Sequence, residues 1–93
     1  MIRSFKDKMT EAVFNGQQPK GFPSQIFKVA QRKLAMVNAA TSLEDLKVPP
    51  SNKLHPLTDD RKGQHAIRIN TQFRVCFVWK DGGAEQVEIT DYH

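Results

Sequence analysis

Apolar positions change rhythm along this chain. They recur at helical spacing before residue 40 and alternate after residue 63. Met9, Ala12 and Val13 lie one turn apart and predict a short helix over 7–15. Gly16-Gln17-Gln18-Pro19-Lys20-Gly21 is a loop rich in breakers. Pro23 and Ser24 open a longer helix over 23–40, because proline suits a first helical turn. Its core stripe is Phe27, Ala30, Leu34 and Val37, flanked by Ile26 and Val29. Lys28, Gln31, Arg32 and Lys33 cover much of the rest. That basic face reads as solvated, with contact to ribosomal RNA phosphates as the alternative. Thr41-Ser42-Leu43-Glu44 matches a capping box and predicts a turn of helix over 42–46. Pro49-Pro50-Ser51-Asn52 ends it, in a linker too short to separate two domains.

Four strands are predicted beyond the linker, at 53–57, 64–70, 73–79 and 84–92, with 2–5 added at one side. Asp81-Gly82 is a tight-hairpin signal, and the short turns indicate antiparallel pairing. Ile67 and Ile69 face one way, with Ala66, Arg68 and Asn70 opposite. Phe73, Val75, Phe77 and Trp79 share a face, with Arg74, Cys76 and Val78 opposite. A three-residue loop, Asn70-Thr71-Gln72, aligns the two apolar faces and sets Arg68 beside Arg74 on the other. Val87 and Ile89 point to the core. Strict alternation would send Asp91 inward too, so a bend or bulge is expected near Thr90. The expected fold is α+β, an antiparallel sheet with a mixed edge packed on N-terminal helices. Its core holds Phe27, Leu34, Val37, Ile67, Ile69, Phe73, Val75, Phe77, Val87 and Ile89.

Ninety-three residues suit a single domain, 1–93. The chain has no apolar run of transmembrane length and no signal-peptide start, so a soluble, cytoplasmic protein is expected. The lone cysteine, Cys76, excludes an internal disulfide framework and a multi-cysteine zinc site. Net charge is +4, and the excess lies in residues 1–40, with seven basic groups against Asp7 and Glu11. Such a balance favours a polyanionic partner, nucleic acid first, though an ordinary solvated surface shows the same balance.

The chemistry-bearing residues are His55 in Leu54-His55-Pro56-Leu57, Arg68 and Arg74 on the strands, and the closing Asp91-Tyr92-His93. RNA cleaves when its own 2′-oxygen attacks the adjacent phosphate. A catalyst removes the 2′-OH proton, protonates the leaving 5′-oxygen and stabilises the phosphorane. Histidine suits both proton transfers, and the arginine fork suits the phosphate. Asp91 and Tyr92 suit orientation of the histidine or the nucleotide, and Tyr92 also suits stacking on a base. Taken alone, histidines and arginines in these numbers also occur as ordinary surface groups. His65 groups by alternation with Ile67 and Ile69 and reads as structural. Cys76 reads as a small packing residue. No P-loop, GxGxxG or zinc spacing is present, so no cofactor and no metal are expected.

In order and spacing, several short motifs resemble the HigB-type toxins of bacterial toxin–antitoxin systems, within the RelE superfamily. They are Met1-Ile2-Arg3-Ser4-Phe5, Lys53-Leu54-His55-Pro56-Leu57, Asp60-Arg61-Lys62-Gly63, Phe73-Arg74-Val75-Cys76-Phe77 and Asp91-Tyr92-His93. The resemblance implies a compact RelE-like fold and a ribosome-dependent endoribonuclease that cuts mRNA in the decoding site. It implies a helix-turn-helix antitoxin as partner, with operator DNA engaged only through that complex. His55, Arg74, Asp91, Tyr92 and His93 fall on the family's functional positions. Some relatives carry a lysine directly after the His-Pro-Leu run, where this chain has Thr58-Asp59-Asp60. Lys53, Arg61 and Lys62 are the candidates to replace that RNA contact, and Arg68 is a further RNA-binding candidate. The competing classes are a non-catalytic ParE-like gyrase inhibitor and a ribosome-binding translation blocker.

Overall fold

Asp7 starts the first helix. Its carboxylate accepts a hydrogen bond from the Thr10 backbone N–H at 2.6 Å, satisfying one of the orphan donors at the N-terminus. The helix, α1, spans Lys8–Phe14 in the computed structural model, which describes residues 1–91. A second helix, α2, spans Phe27–Ala39. Four strands follow, β1 (His55–Pro56), β2 (His65–Arg68), β3 (Phe73–Lys80) and β4 (Gly83–Asp91). They form one antiparallel sheet in the order β1-β2-β3-β4. The N-terminal segment runs parallel to the free edge of β4, bridging Ile2 to Ala84 and Phe5 to Val87. The α+β fold and its mixed edge are as expected.

The expected alignment of apolar faces is present. Ile67, Val75 and Ile89 lie in register across three strands and are buried against Leu34, Val37 and Val13 from the helices. The Asn70-Thr71-Gln72 loop is closed by Ile69 N–H donating to Phe73 O, and it sets Arg68 opposite Arg74. Asp81 and Gly82 both have positive φ, as a two-residue hairpin requires. The Arg3 guanidinium donates to the carbonyls of Lys80 and Asp81 and lies where a Cβ on Gly83 would stand.

Several boundaries differ from expectation. The segment 53–57 pairs only at His55 and Pro56, because Pro50–Asn52 is a 3-10 turn and Lys53 takes a left-handed conformation. The longer helix begins with a separate 3-10 turn, Ser24–Ile26, so Ile26 is buried and Phe27 only half-buried. Phe73, at the start of its strand, is also half-buried. The capping box is one residue later than expected, with Ser42 and Asp45 in the reciprocal roles. Thr41 still donates to the Asp45 carboxylate, and these hydrogen bonds hold the Asp45 pKa below its usual value.

The bulge is in β4, but at Gln86 instead of Thr90. Cys76 pairs with Glu88 and Val78 with Glu85, leaving one extra residue on β4 opposite Phe77. Gln86 has φ +52°. Ala84 and Val87 are an odd number of residues apart, so both reach the core only if the alternation is reset between them. The reset turns Glu88 and Thr90 to the same face as Cys76 and Arg74. No register shift follows Glu88, and Asp91 pairs with Phe73, exposed at the strand's end.

Lys33 is not on a solvated face. It is 6% exposed, and its ammonium donates to the Asn52 side-chain oxygen at 2.5 Å. Asn52 is fully buried and donates to the carbonyls of Leu46 and Val48, so the pair holds the linker against α2. Burial, and after it the Arg32 charge, lower the Lys33 pKa.

Thr10 makes a comparable tie on the other side. Its hydroxyl accepts from the Ile89 backbone N–H at 3.0 Å, at the edge of β4 beyond the N-terminal segment. Thr10→Val should cost about 1–3 kcal/mol of folding stability, because that donor is then buried without a partner. Urea unfolding checks this, with Thr10→Ser expected to keep most of the stability; equal stability of the valine variant would contradict the role.

Candidate active site

The site grows from the face of the sheet turned away from the helices. Paired residues in antiparallel strands share a face. One row runs His55, Ala66, Cys76, Glu88, and the next runs Arg68, Arg74, Thr90. Arg68 and Arg74 stand directly opposite each other, which concentrates positive charge on this face. His55 and Arg74 stand two strands and one row apart, about 12 Å between backbones at ordinary strand and residue spacing.

This face is less open than the alternation suggested. Ala66 and Cys76 are fully buried. The segment after β1 folds back across them as a 3-10 turn, Asp59–Arg61. Arg61 reaches Glu88 on β4 at 3.0 Å, and the same guanidinium nitrogen donates to Gln64 at 3.2 Å. The Glu88 hydrogen bond raises the Arg61 pKa against the opposing effect of burial. Lys6 adds a second, longer ion pair to Glu88 at 3.8 Å. What stays open is a pocket of about 340 Å³ lined by Leu57, Thr58, Asp59, Asp60, Arg61 and Arg74.

Two groups in the site have defined donor roles. Arg74 Nε donates to the Thr90 hydroxyl at 3.3 Å, and that hydroxyl is 3.3 Å from Cys76 Sγ. His55 Nδ1 lies 2.7 Å from the Lys53 carbonyl. A carbonyl only accepts, so Nδ1 carries a proton there. The left-handed Lys53 aims this carbonyl. The structure thus brings Arg74, Arg61 and Arg68 to one face with His55, and leaves Lys53 and Lys62 exposed near it. Asp91 accepts from Gln72 at 3.1 Å at the end of β4. Tyr92 and His93 lie outside the described residues.

Glu88 and Thr90 were not singled out in the sequence. Their signal was their alternation with Val87 and Ile89, obscured at Thr90 by the bend expected there. His65 sits on the core face as expected, stacked on Phe77 with centroids 6.5 Å apart. Its Nδ1 is buried without a hydrogen-bond partner among the described residues. Burial, and secondarily the His55 charge, lower its pKa from 6.5. The unfolded chain therefore binds the His65 proton more readily than the folded one. Stability should fall as the pH drops below about 6.5, the ordinary histidine value, and stop falling once the folded-state pKa is passed. His65→Phe should flatten that acid limb in thermal melts from pH 7 to pH 5; an unchanged limb would contradict the assignment.

The fold and this face define a small α+β protein that presents arginines and a histidine on one side of a four-stranded sheet. The same fold occurs in a chain of the YoeB-YefM complex from Staphylococcus aureus, with a TM-score of 0.62 at 14% identity over 100% of this chain and 98% of that one. A family model described as RelE-like toxin of type II toxin-antitoxin system HigB matches residues 3–93, and the chain belongs to that family. It is similar to Toxin HigB-1 of Vibrio cholerae serotype O1, at 38% identity over 85 residues and 90% of each chain. It is also similar to Endoribonuclease HigB of Proteus vulgaris, at 32% identity over the full length of both.

Proposed function

We propose that residues 1–93 form one toxin domain that cuts mRNA on the ribosome by assisting attack of the RNA's 2′-oxygen on the adjacent phosphate. The observation that carries this is His55, whose Nδ1 is committed to Lys53 O and whose Nε2 is left to exchange a proton, on the face that holds Arg68 and Arg74. Membership in the toxin family and the name of the Proteus relative support the same activity. In this scheme His93 is the base, His55 the acid, and Arg74 with Arg68 stabilises the phosphorane. Asp91 and Tyr92 position the terminal histidine and the nucleotide. Arg61, Lys53 and Lys62 supply further contacts to RNA.

The partner is a helix-turn-helix antitoxin, in line with the antitoxin system of the family and the complex formed by the structural relative. The complex, and not the toxin alone, would engage operator DNA. No helix among the described residues is long and apolar enough to cross a membrane, and the site of action is the cytoplasm, where ribosomes are.

Primer extension on a defined mRNA with purified ribosomes tests the reading. Codon-phased cuts that persist in a zinc-selective chelator support it. Translation arrest without cuts, or gyrase-dependent DNA breaks, would replace it with a binding function.

A further inference from the structure

We infer that Glu88 and Thr90 are positioning residues of this reaction, holding Arg61 and Arg74 as a pair of guanidiniums at one open pocket. The inference rests on the cleavage reading above and adds the residues that build its anion site. Both arginines line the same pocket of about 340 Å³. Each is held by a side chain of β4, and the two holders are two residues apart on one face.

The two attachments differ in kind. Arg61 comes from the loop after β1, and without a tie its long side chain would sweep solvent. Glu88 and Gln64 both take the same Arg61 nitrogen, so among the described residues Nη2 and Nε remain for a ligand. The Arg61 side chain is 29% exposed and that of Glu88 18%, a setting in which an arginine–carboxylate pair keeps its geometry better than on an open surface. The tie also fixes the loop itself across β2 and β3, making one wall of the pocket.

Arg74 rises from the sheet and forms the floor. Its Nε donates to Thr90 Oγ1, and the same hydroxyl lies 3.3 Å from Cys76 Sγ, where either group can be the donor. Cys76 is fully buried, so this short relay fixes the threonine rotamer from below. The bond at Nε fixes the plane of the Arg74 guanidinium, a group whose planar fork matches two phosphate oxygens.

The second cation accounts for the residues after His55-Pro56-Leu57. Thr58, Asp59 and Asp60 supply no positive charge, yet the turn they form delivers Arg61 to the same pocket. Asp59 and Asp60 are exposed, where water and salt screen their repulsion of RNA. The Glu88 charge is met by Arg61 and Lys6. The pocket therefore takes a phosphodiester between two fixed guanidiniums, one from the loop and one from the sheet.

The test is single-turnover mRNA cleavage on ribosomes by the full chain and its variants, with toxin concentration varied. Thr90→Val keeps shape and removes the hydroxyl. It should slow the cleavage step about tenfold, the loss of one hydrogen bond to a charged group, with half-saturating concentration unchanged. Thr90→Ser should restore most of the rate, which a packing role for the threonine methyl would not. Glu88→Gln should also slow cleavage and should add to the loss in Thr90→Val, because the two residues hold different arginines. Arg74 Nε–H exchange followed by NMR gives a reading apart from cleavage, with protection in the parent protein and faster exchange in Thr90→Val. If wild type makes no cuts, the cleavage reading fails and takes this inference with it. If wild type cuts and Arg74→Ala does not, while Thr90→Val and Glu88→Gln cut at the wild-type rate, only the positioning roles are overturned.

Discussion

His55→Ala should slow mRNA cleavage on ribosomes by about a hundred- to ten-thousandfold, the usual worth of a general acid or base. Among the described residues the imidazole is held by one bond, from Nδ1 to the exposed Lys53 carbonyl, so its removal leaves no buried partner stranded there. Folding and antitoxin binding should therefore survive, which separates this loss from unfolding. A chain ending at Tyr92 should lose a similar factor, if His93 supplies the other proton transfer. The two losses should not multiply, because a proton relay with one end missing is already broken. The products should end in 2′,3′-cyclic phosphate, since the attacking oxygen belongs to the RNA. A 2′-O-methyl group at the cut site should block cleavage. Wild-type rates from either truncated site would place the chemistry elsewhere.

Arg74→Ala should cost about a hundred- to a thousandfold in the cleavage step, the loss typical when a preorganised charge on a developing oxyanion is removed. Arg74→Lys should recover only part of it. Lysine keeps the charge but has no Nε to donate to Thr90 and no fork for two phosphate oxygens. Arg68 is directly opposite and would be relieved of a like charge in Arg74→Ala, so that variant should keep most of its folding stability. Cleavage rates on ribosomes, read beside urea melts, check both halves of this expectation. If the alanine variant cuts at full rate, the arginine pair is surface charge and the pocket is not the phosphate site.

The helix and strand rhythm was legible wherever one element carries its own apolar face. The row Ile67, Val75, Ile89 followed from alternation plus a loop length, and the same step set Arg68 opposite Arg74. Asp81-Gly82 announced its turn because few residue pairs accept two positive φ values. The candidate residues His55 and Arg74 followed from residue chemistry and the family resemblance. Their placement on one face needed the β1–β2 register, which a two-residue strand does not announce.

Tertiary contacts decided the rest. A bulge at Gln86 was not visible because its cause is a parity conflict between Ala84 and Val87, both claimed by a core built from other segments. Lys33 reads as a solvated helix residue until Asn52, nineteen residues on, offers it an oxygen inside the fold. Arg61 and Glu88 are separated by twenty-seven residues, and only the folded chain brings the loop across the sheet to join them. Backbone geometry imposes short periods that any local window displays. A buried polar contact instead depends on which distant group arrives at the same place, so its residues carry no local mark.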